Sequence, residues 1–137
     1  MAWHSHLLAD IPGVRHAFLD VHESAVFDKS QLVDIKQVHG KEILHFTQQP
    51  EHRPLVDGVL TSRVGYPVGV VTADCLPLLM ASRDGQHIAS IHAGWRGTAE
   101  GIIEESVQQF AELGVPAGEI MVAIGPHIRA CCYEVSA

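Results

Sequence analysis

Three residues of this sequence have the chemistry and the settings to hold a metal ion: His39 in KQVHG, Cys75 in TADCLP and His92 in SIHAGWRG. Imidazole and thiolate are the preferred ligands of zinc, and three protein ligands leave a fourth tetrahedral position open to water or substrate, which is a catalytic arrangement. Each residue stands at the end of an apolar run and directly before turn chemistry, so all three could converge at one edge of a sheet. Their separations are too long for a zinc finger or knuckle, and the fold itself must hold any ion. Ten histidines occur in the 137 residues, so a chance pairing of His with Cys would not be surprising. The plainer reading of the same three positions is two strand-end histidines and a buried thiol.

Other groups cluster around these motifs. Asp74 precedes the cysteine, where a carboxylate could orient a histidine or accept a proton from water, or else cap nearby backbone amides as a turn residue. Asp57 in VDGVLT has the same alternatives, and Asp-Gly ahead of a strand is more often turn chemistry. HAGWRGTAEG places three glycines and Arg96 before a helix, a setting that favours an anion, with a solvent-facing arginine as the alternative. The spacing matches neither a phosphate loop nor a dinucleotide fingerprint. Trp95 could stack on a base or a sugar, although packing is the commoner use of such a residue. His127, Cys131 and Cys132 are declined as a second metal site, because no fourth ligand is near.

The elements that must position these residues read as α/β. Val14–Leu19, Leu32–Val38 and Glu42–Thr47 are expected to be extended, with a loop from Asp20 to Ser30. DGVLT, PVGVVTA, LPLLMAS and HIASIHA read as strands of a sheet that is apolar on nearly both faces. Thr98–Leu113 has helical spacing in Ile103, Val107, Phe110 and Ala111, and Gly114 and Pro116 end it. The strand EIMVAIG follows, which predicts a crossover unit on a mixed sheet with flanking helices, in a single domain over 1–137.

A formal charge of -7 and a pI near 5.7 argue against a nucleic-acid or anionic-membrane surface. The opening MAWHSHLLADIPG has no secretory pattern and no run is long enough to span a membrane, so a cytoplasmic location is expected. Three cysteines, two of them adjacent, do not make a disulfide framework.

Together QVHG, DGVLTS, VGVVTADCLPLLM, IHAGWRGTAEGI and AIGPHIRACCYEV resemble the polyphenol-oxidase and laccase-like family, also called peptidoglycan editing factors, over about Leu32 to Val135. The resemblance implies an α/β fold and a metal held by His39, Cys75 and His92. It implies phosphorolysis of adenosine, inosine and methylthioadenosine and hydrolytic deamination of adenosine, and the family also carries an oxidase label and a role in cell-wall precursor fidelity. Two departures stand out. DVHESAVFDKSQ replaces a longer segment with an Arg-Gly-Gly turn, and the chain stops at Ala137, whereas the family continues beyond YEV. The expectation is therefore a domain lacking the family's C-terminal portion and able to self-associate through an uncovered sheet edge near Glu134 and Val135.

The resulting reading is a zinc-dependent purine nucleoside enzyme, with purine nucleosides and phosphate as its partners. Asp74 assists proton transfer and Arg96 holds phosphate. The rivals are a catalytically silent metal-binding domain and a copper-dependent phenol oxidase. Copper could occupy the same site, but a multicopper centre needs many more histidine ligands.

Overall fold

The computed structural model describes residues 2–129 and Cys131. Ile43–Phe46 (β1), Gly58–Thr61 (β2), Leu76–Ser82 (β3), Ile88–Ala93 (β4) and Ile120–Ile124 (β5) form a sheet in the order β1-β2-β4-β3-β5. β1 and β2 are parallel, and the other neighbouring pairs are antiparallel. β4 and β5 both oppose β3 and so run in the same direction. The helices Trp95–Glu100 (α3) and Ile102–Glu112 (α4) join them, which is the expected crossover on a mixed sheet. Two short N-terminal helices, His6–Ala9 (α1) and Val21–Val26 (α2), precede the sheet.

Strands β3 and β4 are apolar along nearly their whole length because both sheet faces are covered. On one face Ile102 and Phe110 of α4 pack on Ile43, Leu60, Leu78, Met80 and Ile91. On the other, Leu8 and Ile11 cover Ala81 and Ala123, while Val33, Ile35 and Val56 cover Phe46 and Val59.

Several expectations are corrected. Leu32–Val38 and Val14–Leu19 contribute only isolated bridges, Lys36 with Leu55 and Trp3 with Phe18. PVGVVTA forms no strand, and its Val68 and Val70 pack on the cluster around Val59. These apolar runs lie over the sheet as cover, so their hydrophobicity reflects burial and not ladder pairing. The supposed loop after Asp20 contains α2, started by a capping box in which Asp20 Oδ1 accepts from Glu23 N at 2.8 Å and Glu23 Oε1 accepts from Asp20 N at 3.2 Å.

The single helix expected over Thr98–Leu113 begins earlier, at Trp95, and is two helices. Gly101, at φ 102°, closes α3 in the left-handed region and opens α4. Gly114, at φ 83°, ends α4 as expected.

Among the described residues β5 stands at a sheet edge, with Val122 and Ile124 exposed. Cys132, Glu134 and Val135 lie outside those residues. No helix among the described residues is long and apolar enough to cross a membrane.

Phe110 is the largest side chain that α4 buries completely. Phe110→Ala should lower unfolding free energy by about 3–5 kcal/mol, read from urea denaturation, because a cavity adds to the lost transfer energy.

Candidate metal centre

Strand polarity brings the three predicted ligands together. Leu76 pairs with Ala93, Gly58 with Ile91 and Ile43 with Gly58, so β1, β2 and β3 begin at the sheet end where β4 finishes. His92 is the penultimate residue of β4, Cys75 immediately precedes β3, and His39 lies in the segment leading to β1. One donor atom from each lies within 4.8 Å of the others. Donors on one tetrahedral zinc stand roughly 3.3–3.8 Å apart, given bond lengths of about 2.0–2.3 Å, so a small inward adjustment closes the set. The two imidazoles meet edge to face, with centroids 4.9 Å apart.

Burial is graded across the cluster. His92 is buried, Cys75 half-buried and His39 exposed, so the outer side is open to solvent. The donor chemistry fits zinc or copper, and the glycine of HAGW keeps the space between the ligands clear. A Cβ on Gly94 would lie 3.4 Å from Cys75 Sγ, 3.5 Å from His39 Nδ1 and 3.7 Å from His92 Cε1.

The group that organises this end is Asp57, which is fully buried. Its Oδ2 lies 2.6 Å from His92 Nδ1 and accepts from His39 N at 2.9 Å, while Oδ1 accepts from Val38 N and Gly40 N, each at 3.0 Å. Its backbone N donates to Glu42 O and its O accepts from His92 N. Burial opposes ionisation, but the contacts with His92 and the three amides outweigh it and hold the carboxyl below its ordinary range. Asp-Gly here is not a turn: Gly58 enters β2 so closely that a Cβ would meet Ile91 Cδ1 at 2.6 Å. Sequence reasoning weighed Asp57 as an orienting group and leaned toward turn chemistry. The available signal is a lone acid followed at once by the short strand GVLT.

The other motif residues fasten the same end. The Gln37 side-chain amide both donates to Val71 O and accepts from Val71 N, at 2.8 Å each, tying QVHG to the segment before Cys75. A Cβ on Gly97 would come within 2.4 Å of Gly40 O, so the glycine lets α3 rest directly on the His39 turn. Ile128 N donates to Asp74 O, and Gly125 N donates to Pro77 O, which bring the GPH segment alongside Cys75.

The remaining candidates lie outside the ligand cluster. Asp74 is exposed, and its carboxylate makes no hydrogen bond among the described residues. The ring-orienting contact considered for it is made by Asp57. Arg96 is exposed and holds its guanidinium 5.6 Å from the centroid of the Trp95 ring, itself exposed. His127 Nδ1 lies 2.9 Å from Gly125 O.

Cys75→Ala should abolish stoichiometric zinc binding, because two imidazoles leave the cation under-coordinated, while Cys131→Ala should keep it. Equal metal content by elemental analysis in the Cys75 variant and the parent would refute the assignment.

Residues 9–137 match the family described as multi-copper polyphenol oxidoreductase laccase. The chain is 39% identical over 108 residues to the purine nucleoside phosphorylase YfiH of Shigella flexneri, a match covering 79% of this chain and 43% of that protein. The Escherichia coli K12 protein of the same name is 39% identical over 106 residues, covering 77% and 42%. Among solved structures, YlmD of Geobacillus stearothermophilus superimposes with a TM-score of 0.71 at 32% identity, over 82% of this chain and 46% of that one. The Neisseria meningitidis protein NMB0706 does so with a TM-score of 0.70 at 26% identity, over 98% and 57%. The chain thus spans less than half the length of the curated relatives it matches, and over the residues it has it belongs to the laccase-like YfiH family.

Proposed function

We propose that the chain processes purine nucleosides at a zinc centre formed by His39, Cys75 and His92. The observation that carries this reading is the convergence of three soft or borderline donors at one sheet end, with the outer side open. The names of the relatives, purine nucleoside phosphorylases, support the substrate class. Zinc, when bound, supplies a Lewis acid able to polarise a substrate oxygen or activate water. The reactions are phosphorolysis of adenosine, inosine and methylthioadenosine, and deamination of adenosine.

The protein's own groups supply the rest. Asp74 sits next to Cys75 with its carboxylate in solvent, where it can take a proton from an attacking water or hydroxyl. Arg96 offers a guanidinium to phosphate from above Trp95, whose exposed face can stack on the purine. The family description favours a second reading, copper-dependent oxidation. Against it, the ligands gathered among the described residues form one three-donor cluster, fewer than a multicopper centre requires.

Zinc-loaded protein incubated with inosine and phosphate should release hypoxanthine, and adenosine should release ammonia, both followed by chromatography and ammonia assay. A folded, fully zinc-loaded chain that converts neither would favour a silent metal-binding domain. Arg96→Ala should slow phosphate-dependent cleavage about 10–100-fold, the loss of one charge-assisted contact, and slow deamination far less. Parallel losses would assign Arg96 to packing.

A further inference from the structure

Four hydrogen-bonding groups converge on the Asp57 side chain: the Nδ1 of His92 and the amides of Val38, His39 and Gly40. The three amides can only donate, and they occupy both carboxylate oxygens, so three of the four contacts meet the group as an acceptor and favour its ionised form. An ionised carboxylate has no proton to give, which requires His92 to donate from Nδ1. The lone pair of His92 then stands on Nε2, the nitrogen not engaged by Asp57.

The same carboxylate acts on a second ligand. His39 has φ 62°, the only non-glycine residue at positive φ among the described residues. That conformation costs about 1–3 kcal/mol where nothing enforces it. Here the left-handed residue turns three successive amides toward one anion, an arrangement that chelates a carboxylate well. Gly97 closes the opposite side of the turn, where no Cβ would fit.

Resting on the reading of His39, Cys75 and His92 as a metal site, we infer that Asp57 is a positioning residue for two of the three ligands: it sets the tautomer of His92 and holds the strained turn that carries His39. Neither effect requires Asp57 to touch the metal. An asparagine that keeps its oxygen on the amides of Val38 and Gly40, the orientation that retains two of the three amide bonds, presents its NH2 group to the His39 amide and to His92 Nδ1. The amide of His39 then loses its acceptor, and His92 bonds to the new donor only by moving its proton to Nε2, where it blocks ligation.

The experiment compares the parent chain with Asp57→Asn by zinc affinity, measured against a chromophoric chelator, and by the tautomer of His92, read from 15N–1H correlation spectra of the metal-free proteins. The parent should show Nδ1–H. The Asn variant should retain its far-UV circular dichroism, shift toward Nε2–H and bind zinc about 10–100-fold more weakly, the usual range for losing such an outer partner. A parent with Nε2–H, or an Asn variant that binds zinc as tightly as the parent, would overturn the role of Asp57. If the variant does not fold, the parent's tautomer decides alone: Nδ1–H upholds the role and Nε2–H removes it. A parent that takes up no zinc would instead overturn the metal reading itself, so the two failures are distinguishable.

Discussion

A buried carboxylate that accepts from three backbone amides and contacts one imidazole is the constraint around which this end of the molecule is arranged. Asp57 would be costly inside the protein if any of those contacts were missing, since an unpaired buried charge destabilises by several kcal/mol. The contacts come from a β4 side chain and from a turn some twenty residues earlier in sequence. Satisfying Asp57 therefore demands that the sheet be assembled with the QVHG segment docked across its end. The site geometry is in this sense a by-product of neutralising one group.

Close backbone approach completes what the charge begins. Gly97 allows α3 to sit on Gly40, and Gly94 leaves open the space that the three donors face. Gln37 bonds both backbone groups of Val71, holding two irregular segments in the relation that adjacent strands would have. Polar backbone groups in these segments would otherwise have to be met by water. Loops thus carry two of the ligands while remaining fixed in direction, and only His92 is supplied by a strand.

The convergence of His39, Cys75 and His92 is legible in the sequence, because His and Cys placed beside turn chemistry at the ends of apolar runs fall at one sheet end. All five strands, the crossover and the end of α4 at Gly114 follow from periodicity and from glycine chemistry. Hydrophobicity alone misled at PVGVVTA, where valines cover the sheet without joining it, since burial and ladder pairing select the same residue types. Asp20 and Glu23 have the spacing of a capping box, which starts a helix where the polar composition suggests a loop. Gly101 lies inside the helical spacing of Thr98–Leu113, and the break there shows in its φ of 102°. Asp57 was the hardest to read, because its role depends on partners 17 to 19 residues before it and 35 after it, a relation that no local pattern encodes.

The separation of the three donors along the chain has a thermodynamic consequence. His39, Cys75 and His92 are 36 and 17 residues apart, and they meet only once β2, β3 and β4 are paired and the first turn is docked. In an unfolded chain these three donors are far apart in sequence, so a cation held by all three would favour the native state, less whatever affinity the unfolded chain's other histidines and cysteines retain. The difference between the two affinities would be resistance to unfolding, rising with the logarithm of free metal concentration.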